Sequence, residues 1–143
     1  MSIKNNKKIA SKLTALLDLG DENKLKDLLS PDFISHFAGL PESLNREQYI
    51  MVNRAAKNAF ADLNRTVEDL IAEGDKVTVR ITARGTHTGV FQGIVATGKL
   101  TKISGIDIRR IAEGKITEEW VINDQLGLMQ QLGVFPLSAQ TKE

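Results

Sequence analysis

Apolar residues change their spacing partway along the chain. Ile9, Leu13, Leu16 and Leu17 recur on one helical face, with lysines and other polar residues between them and Gly20 as the stop. That pattern predicts a helix over residues 3–18. Asp21 is placed to cap a second, short helix whose buried stripe is Leu25, Leu28 and Leu29. Ser30-Pro31-Asp32 ends it, because the residue before a proline avoids helical dihedrals. Residues 33–44 carry neither period and read as irregular. Asn45 and Gln48 have the spacing of a capping box, and Tyr49, Val52, Ala56, Ala59 and Phe60 follow on one helical face.

Beyond Thr66 the period falls to two. Val77, Val79, Ile81 and Ala83 alternate with Thr78, Arg80, Thr82 and Arg84, so one face of this strand is wet. Gly74-Asp75 and Glu113-Gly114 each separate two such runs and read as hairpin turns, which implies an antiparallel sheet. Leu126, Met129 and Leu132 form a last helical stripe, closed by Gly133 and Pro136. Three N-terminal helices and at least four meandering strands predict an α+β fold, with helices packed on one face of a curved sheet. Any part of that conical interior left unfilled by side chains becomes a pocket.

Composition narrows the class of function. At 143 residues, with 41% hydrophobic and 26% charged, the chain is expected to fold as one domain over residues 1–143. Lys and Arg number 19 against 18 acidic residues, so no net field favours nucleic acid or an anionic membrane. Cysteine is absent, which removes disulfides, thiol nucleophiles and thiolate metal sites and suits a reducing compartment. The basic start, Lys4 to Lys8, has no apolar run after it long enough for a signal peptide or membrane span, so a cytoplasmic location is expected. No His-x-x-x-His pattern, phosphate loop or nucleophile elbow is present. Chemistry without a metal or cofactor is what remains.

Strict alternation on the last strand puts Ile116, Glu118, Trp120, Ile122 and Asp124 on one face and Thr117, Glu119, Val121 and Asn123 on the other. Asp124, beside the one Trp, would lose hydration, and its pKa would rise toward the range useful for proton transfer. It reads equally well as the cap of the final helix. His36, flanked by Ile34 and Phe37, is the second catalytic candidate, and a bond to a loop carbonyl is its ordinary alternative. His87 lies in the turn-rich run Gly85-Thr86-His87-Thr88-Gly89 and is either a turn residue or a pocket contact. Tyr49, Val52, Phe60, Phe91, Ile106, Ile108 and Trp120 are candidate substrate-binding walls. Asp107 and Arg109 interrupt an apolar strand, and charges on a strand are usually its solvated face. The face opposite Trp120, with Thr117 and Val121, is available to a homodimer.

The segments Val67-Glu68-Asp69-Leu70-Ile71-Ala72-Glu73-Gly74-Asp75-Lys76-Val77, Gly85-Thr86-His87-Thr88-Gly89, Ala96-Thr97-Gly98-Lys99 and Gly114-Lys115-Ile116-Thr117-Glu118-Glu119-Trp120, followed by Asp124, resemble the SnoaL-like polyketide cyclase family in order and spacing. The resemblance covers nearly the whole chain. It implies the conical fold of the nuclear-transport-factor-like superfamily: a curved mixed, mainly antiparallel sheet and three N-terminal helices enclosing a pocket. It also implies a homodimer or higher oligomer, no metal or cofactor, and a small apolar carbonyl compound as ligand. In the family's cyclases an Asp on the last strand is the acid/base of an aldol ring closure, and Asp124 matches that position. Those enzymes also use a His on the neighbouring strand. The corresponding stretch here, Gly105-Ile106-Asp107-Ile108-Arg109-Arg110, has none, which leaves His36 as the proton partner from the opposite wall.

Overall fold

A computed structural model of the chain describes residues 2–135; Pro136, expected to break the last helix, lies outside them. Helix α1 spans Ile3–Leu19 and α2 spans Glu22–Leu28. Each starts at the cap its sequence offers, Ser2 accepting from the Asn5 amide and Asp21 from the Lys24 amide. Helix α3, Arg46–Ala59, begins at the expected capping box. The Gln48 amide donates to Asn45 Oδ1 at 2.8 Å and the Asn45 amide to Gln48 Oε1 at 2.9 Å. Helix α4, Gln125–Leu132, buries Leu128 and Leu132 and leaves Leu126 exposed, so its stripe is displaced from the one the sequence suggested.

Six strands form one sheet: β1 Leu29–Phe37, β2 Leu44–Asn45, β3 Asn64–Glu73, β4 Lys76–Thr86, β5 Leu100–Ala112 and β6 Lys115–Asn123. Their order across the sheet is β2-β1-β6-β5-β4-β3. Both expected hairpins form, and at the second turn Glu113 and Gly114 have φ of 52° and 79°, the left-handed pair that matches strand twist. Strand β1 was unexpected. It lies between β2 and β6, parallel to β6, and its pairing jumps from Leu29 to Ile34 around Pro31, which has no amide to donate. That break hides a strand inside what reads as irregular sequence.

The inward residues of β4, Val77, Val79 and Ile81, pack with Ile111 and Ile116 against Leu13, Leu16 and Leu17 of α1 and Leu25 of α2. A smaller cluster of Ala59, Phe60, Leu128 and Leu132 closes the far end. Helix α3 packs on β1 and β2 at one side of the sheet, and between it and β4, β5 and β6 a cavity remains. Among the described residues no helix is long and apolar enough to cross a membrane.

Candidate active site

The cavity has a volume of about 750 Å³, the size of a drug-like ligand. Leu17, Phe37, Tyr49, Ile81 and Val121 surround its floor, and Val52, Phe60, Phe91, Ile103 and Leu128 wall its outer part. Two carboxylates, Asp107 and Glu119, line the floor.

Strand parity explains why they point inward. Ile111 pairs with Ile116, and Arg110 with Glu118, so Thr117 is an extra residue in β6. This bulge shifts the alternation by one. Ile116 stays inside, and beyond the bulge Glu119, Val121 and Asn123 face the cavity while Glu118, Trp120 and Ile122 face out. On β5 the inward set is Asp107, Arg109 and Ile111. Ile106 and Ile108 are outward and exposed.

Arg109 is fully buried and organises the floor. Its Nε donates to Glu119 Oε2 at 2.7 Å and its Nη2 to Asp107 Oδ2 at 3.0 Å. The remaining nitrogen, Nη1, donates to Thr14 Oγ1 at 2.7 Å and to the Ala10 carbonyl, tying the pair to α1. Glu119, also fully buried, has Ser35 Oγ at 3.5 Å from its other oxygen. Burial, then the neighbouring Glu119 charge, push the Asp107 carboxyl up from 3.8 to about 7, against the pull of Arg109 and Arg65. Burial also raises the Tyr49 phenol well above its ordinary value, and Glu119 adds to the shift. Desolvation disfavours the Arg109 charge, yet Glu119 and Asp107 more than offset it and hold the guanidinium protonated.

The floor therefore carries one carboxylate locked on an arginine and one carboxyl poised to gain or lose a proton near neutral pH. A group so poised can take a proton from carbon and return it. Among the described residues no three metal-binding side chains converge.

Several sequence expectations need correction. Asp124 does not line the cavity: it is exposed, just past the end of β6, where its Oδ1 accepts from the Gly127 amide at 2.8 Å and caps α4. The bulge at Thr117 and the end of the strand before Asp124 defeat the alternation that put it beside a buried Trp. His36 belongs to β1 rather than to a loop and points to the outer face. There it stacks on Trp120 at 5.6 Å and bonds Glu118 at 2.7 Å, so the two histidine and aspartate candidates are not brought together. Ile106, Ile108 and Trp120 share that outer face and cannot touch a cavity ligand. Val121, expected on a dimer face, lines the cavity instead.

Tyr49, Val52, Phe60 and Phe91 do line it. His87 is fully buried behind that wall, its ring stacked on Phe60 at 5.3 Å and its Nδ1 accepting from the Thr97 amide at 3.2 Å. It closes the base of the loop between β4 and β5. Sequence reasoning missed Asp107, Arg109 and Glu119 as a unit. The available signal was that an Asp-x-Arg on one arm of the hairpin faces acidic residues on the other across the Glu113-Gly114 turn.

Comparisons with known proteins agree with this fold. The family model described as SnoaL-like polyketide cyclase matches residues 7–132. Among solved structures, IdmH of Streptomyces antibioticus, named as a candidate polyketide cyclase, is 30% identical with a TM-score of 0.82, covering 90% of this chain and 99% of its own. AclR of Streptomyces galilaeus, named as a candidate hydroxylase, is 26% identical with a TM-score of 0.85, covering 94% and 100%. A SnoaL-like protein of Jannaschia sp. CCS1 has a TM-score of 0.85 at 23% identity, covering 95% and 98%, a likeness of fold alone. No curated protein matches the chain.

Proposed function

Because the chain belongs to the SnoaL-like polyketide cyclase family, we propose that it is an acid/base enzyme acting on a largely apolar carbonyl compound, with Asp107 as the proton-transfer group. Its reaction is an aldol-type ring closure or a related isomerisation or dehydration, carried by protein side chains alone. One observation carries the reading: a carboxyl with a pKa of about 7 sits on the floor of an apolar cavity, beside a carboxylate locked on Arg109.

The chemistry follows from that placement. Ionised Asp107 takes a proton from the carbon next to a ligand carbonyl, leaving an enolate. The enolate carbon attacks a second carbonyl of the same molecule, forming the new C–C bond, and Asp107 returns its proton to the resulting alkoxide. Atoms and charge balance, and the product is an isomer of the substrate. Glu119 stays held on Arg109, and burial together with its neighbouring charge keeps Asp107 protonated until the pH approaches neutrality.

The test is exchange of α-hydrogens of an apolar β-diketone in D2O, followed by NMR with the wild type, Asp107→Asn and, as comparison, Asp124→Asn. Enzyme-dependent exchange that survives in the Asp124 variant and is lost in the Asp107 variant supports the reading. Enzyme-dependent exchange equal in all three would reject Asp107 as the base, and exchange no faster than without protein would leave a binding module without chemistry.

The assembly is proposed to be a homodimer built on the sheet's outer face rather than through Val121. Ile106, Ile108 and Ile122 are 48%, 37% and 64% exposed there, around Trp120. Apolar residues exposed together on a sheet face support an interface there. Sedimentation should give a dimer at micromolar concentration, and Ile108→Glu should give a monomer. A monomeric wild type would refute the pairing.

A further inference from the structure

An enolate formed at this floor would lie beside the Glu119 carboxylate, and like charges at short range repel. The negative oxygen therefore needs a hydrogen-bond donor aimed at it. The donors near the floor are largely engaged with the protein. Arg109 is fully buried and bonds Glu119, Asp107, Thr14 and Ala10. The Asn53 amide donates to the Leu17 carbonyl, and Arg65 is drawn to Asp18 at 2.6 Å. Ser35 is buried behind Glu119.

Tyr49 differs. Its ring is held edge-on to Phe33 at 4.9 Å and tilted against Phe37 at 6.3 Å, on a helix whose first turn is fixed by the capping box just before it. Tyr49 and Glu119 both line the cavity, and the Glu119 charge is near enough to add to the burial that raises the phenol. Rotation about the C–O bond can aim its O–H at a ligand oxygen, while Glu119 stays held by Arg109. Resting on the assignment of Asp107 as base, we propose that Tyr49 is a second catalytic residue, whose hydroxyl donates to the enolate oxygen while Asp107 holds the abstracted proton.

Phenols imitate the enolate and need no knowledge of the substrate. The probe is a series of aryl phenols of nearly constant shape and graded acidity, with the methyl ether of one member as the uncharged control. Binding is measured by calorimetry at mildly acidic pH, where Asp107 keeps its proton. Wild-type affinity should rise with phenol acidity, because hydrogen bonds to a charged oxygen are the stronger ones. Tyr49→Phe should flatten that dependence and weaken the most acidic phenol by roughly ten- to a hundredfold, leaving the ether unchanged.

Asp107→Asn imitates the protonated acid. It should keep the wild-type phenol series while losing α-hydrogen exchange, so failure of the base and failure of the donor are separable. Tyr49 is the chain's one tyrosine, so 3-fluorotyrosine incorporation labels it alone. Its ¹⁹F resonance should move further with each more acidic phenol. An unchanged acidity dependence in Tyr49→Phe, equal loss of phenol and ether, no phenol binding to the wild type, or a ¹⁹F signal indifferent to the series would each overturn the proposal.

Discussion

Replacing Asp107 by Asn is expected to lower α-hydrogen exchange, and turnover once a substrate is in hand, by roughly a hundred- to ten-thousand-fold, the usual contribution of one positioned acid/base. Ligand affinity should change little, because an amide fills the same space and Arg109 keeps Glu119. The pH dependence gives the experiment its sign. Wild-type exchange should rise as Asp107 ionises, with an inflection near 7, and the variant should lack that inflection. Stability should move the opposite way. The folded protein binds this proton more tightly than the unfolded chain, so the group's favourable contribution is complete below 3.8 and is lost as the pH rises through about 7. Asp107→Asn cannot ionise, so thermal melts across that window should show the variant gaining on the wild type as the pH rises. Parallel melts together with unchanged exchange would remove Asp107 from the mechanism.

The second large effect is on folding. Arg109→Leu leaves Glu119 fully buried without its cation and takes a donor from Asp107, Thr14 and the Ala10 carbonyl. Breaking a buried ion pair by removing one partner costs about 3–5 kcal/mol, far more than the pair contributes relative to an apolar core. Urea unfolding should register a loss of that size. Arg109→Lys should recover only part of it, because an ammonium cannot present the planar fork that reaches Glu119 and Asp107 together. A loss under about 1 kcal/mol for the leucine variant would mean that the carboxylates take up protons without penalty and that the floor is not an organised ionic unit.

Much of the scaffold was legible because its signals are local. The capping box at Asn45 and Gln48, the alternation from Val77 to Ala83 and the two-residue turn at Glu113-Gly114 each specify an element by short-range sterics or hydrogen bonding. The site was less legible because it depends on parity across a defect. One extra residue at Thr117 exchanges the faces of β6, so the periodicity that carries Ile116 inward carries Glu119 inward and Trp120 outward. Ile106 and Ile108 compounded the error. They look like core residues alternating with a charged, wet face, whereas here Asp107 and Arg109 are inside and are satisfied together with Glu119 of β6. The apolar outer face of β5 is the one on which the homodimer is proposed. Asp124 is the instructive case: its place in the motif invited a chemical role, and its local geometry gives it the ordinary work of a helix cap.

The most direct test is the ionisation of Asp107 itself, followed by ¹³C NMR of the side-chain carboxyls through a pH titration, with the resonance assigned from its loss in Asp107→Asn. The expected midpoint is near 7. A midpoint in the ordinary aspartate range, close to 3.8, would contradict it, because a carboxylate ionised that readily has no proton to hold at neutral pH.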